Sequence, residues 1–382
     1  MAGWVAAPGG AAGQAGLNAR LVVRVLAIVA SLAAIGVPLA ATLIGILIAN
    51  PPLARFVVAA TIVIGTSIPI AVFDAYLDLK IIALMNLRIG PDRVAPFGAL
   101  QSLFHGLKLF AKEDITPTAA DVVVFTWAPV VVYVAAVMSL IVIPFSPGLF
   151  LVDMDIGVLY VFAVGGLTAV GLLMAGWSSF NKYSLLGGLR SAAQLVSYEI
   201  PLTLSVVGLV VLAGTMSLNA IVEQQAGGFW NWYVFRQPLG FVIFFIAVTA
   251  EANRTPFDLT EADSEIVAGF ATEYSGVRFL FFYFAEYFNL FVVSALTVAL
   301  FFGGWNAPFV TPLPVDLGWV GSLLWFLAKT YVSVFALVWM RATLPRVRVD
   351  QLMGFAWKWL LPAALLNLFI TAFAVLVVTS RS

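Results

Sequence analysis

The chain has 382 residues, zero formal net charge, no cysteine and one histidine, His105; 62% of it is hydrophobic and only 10% charged. A soluble domain carries roughly 25% charged residues, so a water-facing globular surface is excluded. Lack of cysteine excludes a disulfide framework and thiolate ligation of a metal or iron–sulfur cluster, one histidine excludes a bis-histidine haem, and the balanced charge offers no footprint for nucleic acid.

Residues 1–20 read as an Ala/Gly-rich flexible tail, and the apolar run 21–49 as a retained transmembrane helix, too long for a cleaved signal. A spanning helix needs about 20 apolar residues. Further runs follow at 53–73, 119–145, 156–177, 193–217, a short 237–252, 278–303, 318–340 and 359–379. Their length excludes barrel strands. The predicted fold is an all-α polytopic transmembrane bundle of about nine spans, with short amphipathic helices in its long loops. One such helix is 97–111, where Leu100, Leu103, Phe104, Leu107 and Phe110 oppose Gln101, His105, Lys108 and Lys112. A histidine on that polar face reads as a solvated side chain.

Basic residues crowd alternate connections: Lys80, Arg88, Arg93, Lys108 and Lys112, then Lys182 and Arg190, then Arg254 and Arg278, then Arg341, Arg346, Arg348 and Lys358. The positive-inside rule makes these loops and the N-terminus cytoplasmic and puts the C-terminus outside. Glu199, Glu286 and Lys329 fall within spans and Glu251 at the end of one, where an ionisable group needs a partner or a polar cavity. Pro201 frees the carbonyl of Ser197 beside Glu199, which suits a hydrated proton site; a structural ion pair competes with that reading for Glu199 and for Lys329. Between 251 and 273 lie Glu251, Asp258, Glu261, Asp263, Glu265 and Glu273. Such crowded carboxylates titrate together, as a proton-loading cluster requires. Part of the cluster has a local alternative, because Asp258 and Glu261 have capping-box spacing. Composition and periodicity leave two classes open, an ion transporter with central acids and a membrane subunit of an electron-transfer complex. The absence of an internal repeat and the weight of chemistry in the inner loops favour the second.

Those loops resemble one family, the quinone-channel membrane subunit of proton-pumping NADH:quinone oxidoreductase, respiratory complex I. The resemblance rests on Arg88-Ile-Gly-Pro91 and Leu107-Lys-Leu-Phe-Ala-Lys-Glu-Asp114; Gly176-Trp-Ser-Ser179, Leu189-Arg-Ser-Ala-Ala-Gln194 and Ser197-Tyr-Glu-Ile-Pro201; and Ala250-Glu-Ala-Asn-Arg-Thr-Pro-Phe-Asp-Leu259 with Thr272-Glu-Tyr-Ser-Gly276. Ala285-Glu-Tyr287, Arg341-Ala-Thr-Leu-Pro-Arg346 and Asp350-Gln-Leu352 continue it, in order, over roughly residues 53–379.

The resemblance implies an eight-helix core within residues 50–382, helix 21–49 being extra. It implies a subunit of a proton-translocating enzyme that binds no cofactor itself and takes quinone, ubiquinone or menaquinone, as substrate. FMN and iron–sulfur clusters would sit on partner subunits. Implied partners are soluble-arm subunits, small and antiporter-like membrane subunits and lipid, in a bacterial plasma membrane. By the same resemblance Asp78, Lys80, Arg88, Arg190, Arg254 and Arg278 line or brace the quinone channel. Asp258, Glu261, Asp263, Glu265 and Glu273 respond to quinone reduction, and Glu199, Glu251 and Glu286 begin the proton path. Tyr198 and Lys329 belong to that path or are structural. Asp78-Leu79-Lys80 departs from the family's acidic–basic–basic triplet, and Asp74, one turn earlier, is a candidate to share the acidic role. The competing readings are the anchor of a membrane-bound nickel–iron hydrogenase, which shares a loop like Pro256-Phe-Asp258, a relative with another electron donor, and a stand-alone ion transporter.

Overall fold

The structure, a computed structural model, describes residues 51–258, 266–308 and 318–380. The tail, the predicted helix 21–49, and Glu261, Asp263 and Glu265 lie outside the described residues. The chain divides into two compact units, residues 1–62 and 63–382. Of the first, only the opening of one helix is described.

The principal helices are α1 (Pro51–Met85), α2 (Gln101–Phe110), α3 (Val122–Ser139), α4 (Gly157–Ser178), α5 (Lys182–Ala213), α6 (Pro238–Glu251), α7 (Gly276–Phe301), α8 (Gly318–Thr343), α9 (Val349–Phe355) and α10 (Leu361–Thr379). A π-helical turn, Ala356–Leu360, joins the last two. No strand occurs among the described residues. Each apolar run predicted within those residues falls on a helix, and the short run is the 14-residue α6. Helices long and apolar enough to cross a bilayer begin at Val122, Gly157, Lys182, Gly276, Gly318 and Val349. This is an all-α integral membrane bundle.

Two boundaries differ clearly from the periodicity. Helix α1 runs on to Met85, well past the end of the apolar run at 73, so Asp74, Asp78 and Lys80 are helical. Helix α5 starts at Lys182, well before the apolar run at 193, because the Asn181 side chain accepts a hydrogen bond from the Tyr183 amide at 2.9 Å. An N-cap of this kind satisfies an amide that the helix itself leaves open. The polar stretch carrying Arg190 is therefore helix rather than loop.

The centre of the bundle is α7, largely apolar and buried along most of its length against α3 and α8. Phe288, Leu290, Phe291 and Phe301 are fully buried on it. Outward-facing α10 contrasts, with Leu366, Phe369, Phe373 and Leu376 exposed. Lipid tails are as apolar as leucine, so close van der Waals packing rather than water exclusion joins such helices, and small residues promote it. At the crossing of α4 and α5, a Cβ built on Gly188 would lie 3.0 Å from the Gly176 Cα. Two backbones meet there with no room for side chains.

Candidate functional site

The C-terminal parts of α1 and α8 and the N-terminal half of α7 hold a compact set of charges. Asp74 and Asp78, one turn apart on α1, are both buried. Arg254, in the turn just after α6, is 1% exposed. One of its terminal nitrogens, Nη2, lies 3.2 Å from Glu286 Oε1 of α7 and the other, Nη1, 3.6 Å from Asp78 Oδ2. Its guanidinium also covers the Tyr287 ring at 4.7 Å. From the end of α8, Arg341 Nη1 donates to the same Asp78 oxygen at 2.5 Å, and the Tyr287 hydroxyl donates to it at 3.1 Å. Of the three carboxylates, Asp78 and Glu286 are the two that pair with the guanidinium groups. Burial of a cation is tolerable only with such pairing. Both oxygens of Asp74 lack a protein hydrogen-bond partner.

Against this cluster lies a cavity of about 380 Å³. Val132 and Ala136 of α3, Thr168 and Leu172 of α4, and Phe279, Phe282 and Tyr283 of α7 give it a largely apolar, aromatic wall. Glu251, Asn253, Glu286, Asn289, Tyr287 and Arg341 supply its polar positions, and His105 of α2 closes one side. Apolar walls with few converging polar groups are the usual make-up of a small-molecule site.

Glu199 and Glu251 sit against neighbouring glycines of α4. A Cβ built on Gly166 would lie 3.2 Å from Glu199 Oε1, and one on Gly165 3.4 Å from Glu251 Oε1. The Gly165–Gly166 pair leaves space for two carboxylates that larger residues would displace. Thr203 Oγ1 donates to the Glu199 carbonyl at 2.7 Å, one turn along a helix that contains Pro201. Gln194 fixes the end of α6 by donating to the Ala250 carbonyl at 2.8 Å and to Asn253 Oδ1 at 3.2 Å.

The remaining residues singled out from the sequence are dispersed. Asp258 pairs with Arg346 at 3.2 Å, and Glu273 accepts from Asn181 Nδ2 at 2.5 Å. Arg278 lies away from the cavity wall, bound to Asp114 at 3.2 Å and Thr116 Oγ1 at 2.8 Å, where it braces the segment between α2 and α3. Arg190 lines a smaller cleft between α5 and α9. Arg88 is exposed and Lys80 half-buried. Tyr198 is fully buried and donates to the Leu352 carbonyl at 3.1 Å. Lys329 donates to the carbonyls of Phe302 and Asn306, each at 2.8 Å, and so caps the C-terminal end of α7. Among the described residues no group of histidines and carboxylates is placed to hold a metal.

Tyr283 and Asn289 join the site without having been singled out, and Tyr287 and Arg341, named only within the motifs that carry the resemblance, join it too. The available signal was the helical spacing of Tyr283, Glu286 and Tyr287, which puts three polar groups on one face of an otherwise apolar span.

Comparison with known proteins places this arrangement in a family. The profile of the family described as NADH dehydrogenase matches residues 57–372. A protein of Brevibacillus brevis, named as the H subunit of NADH-quinone oxidoreductase, is 48% identical over 320 residues, covering 84% of this chain and 93% of the relative. A namesake from Dehalococcoides mccartyi is 49% identical over 79% of this chain and 82% of its own length, and one from Bacillus mycoides 51% identical over 77% and 86%.

Proposed function

Because this chain belongs to the NADH dehydrogenase family, among relatives named as the H subunit of NADH-quinone oxidoreductase, we propose that its cavity admits the quinone head group and that the acids behind it start the proton path. Membership itself makes the chain a membrane subunit of an NADH-quinone oxidoreductase complex. One observation carries the quinone assignment. An aromatic cavity ends on two carboxylates, Glu251 and Glu286, and Glu286 is held by the buried Arg254.

The chemistry follows from what quinone reduction demands. Two electrons arrive through partner subunits and two protons must follow. A quinone ring fits between Phe and Tyr side chains, while its oxygens seek donors and its reduction pulls on nearby acids. Glu286 and Asp78 share Arg254, so a change of charge in the cavity is felt by both. Glu251 lines the same cavity, and Glu199 of α5 faces the neighbouring glycine of the Gly165–Gly166 pair on α4. In this reading Glu251 and Glu199 hand the disturbance from the cavity into the bundle. Helix ends carrying the basic residues face the cytoplasm and dock the soluble arm; the antiporter-like subunits receive the protons.

The test is to fill the cavity. Ala136, 4% exposed, lines it from α3. In the assembled complex Ala136→Phe is expected to abolish reduction of a short-chain benzoquinone while electron transfer from NADH to an artificial acceptor continues. Normal quinone reduction by a stable Ala136→Phe complex would overturn the assignment.

A further inference from the structure

We propose that Asp74 and Asp78 form a carboxylate pair holding one proton, carried by Asp74 while Arg341 binds Asp78 and passed to Asp78 when that bond opens. The pair is defined by the charge cluster alone and stands whether or not a quinone enters the cavity. The two aspartates lie one turn apart on α1, a spacing that puts side chains on one face. Asp74 is 0% and Asp78 2% exposed. Their surroundings differ. Every partner of Asp78 gathers on Oδ2: Arg341, the Tyr287 hydroxyl and Arg254. Its Oδ1 and both oxygens of Asp74 are buried without a protein hydrogen-bond partner. Three secluded carboxylate oxygens on one helix face are thus free to carry a proton.

A charge count says why one proton belongs here. The groups that act on Asp74 are Asp78 on its own helix, Arg254 after α6 and Tyr331 on α8. Around Asp78 stand Tyr283, Tyr287 and Glu286 of α7 and Arg341 of α8. Two guanidinium groups are already matched by Asp78 and Glu286. A third ionised carboxylate in the same buried space would have no counter-charge, and a group so placed binds a proton instead. Two neighbouring carboxylates likewise cannot both ionise cheaply. A metal cation between the aspartates is disfavoured by the two guanidinium groups beside them.

The transfer is balanced within the pair. The Arg341 side chain is 28% exposed, so of the two arginines it is the one with room to leave. Once it does, Asp78 keeps only the Tyr287 bond and Arg254 at 3.6 Å, and the attraction that kept it ionised weakens. The O–H bond on Asp74 breaks and one forms on Asp78 Oδ1. The charge of the pair stays at one negative, now on Asp74 and facing Arg254.

The experiment compares Asp74→Asn with wild type in the assembled complex, by retention of the subunit after graded heating between about pH 5 and 7. A neutral Asp74 loses its proton when unfolding exposes it to water, so folding takes a proton up and stability falls as pH rises above the ordinary aspartate range. Asparagine has no proton to take up. Asp74→Asn should therefore raise the melting temperature, and the rise should grow by about 3–5 °C per pH unit. In the Asp78→Asn background Asp74 carries the charge of the pair, and the rise should vanish. Infrared difference spectra read the proton itself. Wild type minus Asp74→Asn should show the carbonyl band of a protonated carboxylic acid. The same difference taken in an Arg341→Gln background should show carboxylate bands in its place, a comparison that holds even if Asp78→Asn fails to assemble. A lowered melting temperature in Asp74→Asn overturns the proposal, because Asp74 would then be an ionised structural partner. So does a rise of equal size in the Asp78→Asn background, or an acid band that persists in Arg341→Gln.

Discussion

Asp78→Asn probes the charge cluster most directly, because it keeps the side chain's shape and removes only its charge. Three groups share the lost charge: Arg341 at 2.5 Å, the Tyr287 hydroxyl at 3.1 Å and Arg254 at 3.6 Å. Removing one partner of a buried ion pair costs about 3–5 kcal/mol, since the other charge stays desolvated. Two features argue for the lower end. Arg254 keeps Glu286 at 3.2 Å, and the Arg341 side chain is 28% exposed and retains some water. The expected loss is therefore about 3 kcal/mol. At roughly 2–4 °C per kcal/mol for chains of 150–250 residues, it lowers the melting temperature of this subunit by about 6–12 °C.

The assay follows retention of the subunit in the detergent-solubilised complex after graded heating. Charge balance supplies an internal control. Asp78→Asn leaves one cation in excess, and adding Arg341→Gln removes it. The double variant should therefore recover about 1–2 kcal/mol relative to the sum of the singles, a coupling typical of groups in one network. An Asp78→Asn complex that melts like wild type would refute the reasoning. So would strict additivity of the two changes, which would mean that Asp78 and Arg341 do not act as one electrostatic unit.

Other residues give independent outcomes. Glu199→Gln should uncouple proton translocation from quinone reduction; if pumping and quinone reduction both stay normal in liposomes, Glu199 is structural. Arg278→Ala frees the segment held through Asp114 and Thr116. The pair is partly exposed, so the stability change should stay within about 1 kcal/mol, while proteolysis between 111 and 121 accelerates and quinone reduction weakens with artificial-acceptor activity intact. Loss of both activities would point to failed assembly. Lys329→Met removes two charge-assisted bonds from the end of α7, each worth about 1.5–3 kcal/mol. Its complex should melt earlier yet pump the same number of protons per electron; the reverse pattern would place Lys329 on the proton path.

What the sequence makes legible here is whatever acts locally. Apolar runs are long enough to mark the spans, and an acid inside an apolar run marks Glu199 or Glu286 without any knowledge of packing. What it leaves open is which charge answers which. Asp78, Arg254, Glu286 and Arg341 are spread across the chain from α1 to α8, and only the meeting of four segments makes them one cluster. Asp258 and Glu273 illustrate the opposite outcome. They sit in a crowded acidic stretch, yet each is already engaged, by Arg346 and by Asn181. Crowding along the chain therefore does not reveal which partner each acid meets in space.

His105 carries that lesson furthest. Its helix has an apolar face and a basic face, and periodicity puts the imidazole on the basic one. The ring is nevertheless half-buried against Tyr283, because Gly106 lets α2 settle closely on α7 and the cavity opens between them. A helical wheel assigns a residue to water or to protein, and it has no third category for a residue between an inner cavity and an outer cleft. Residues at the margin of an amphipathic face therefore merit the scrutiny usually kept for charges inside spans.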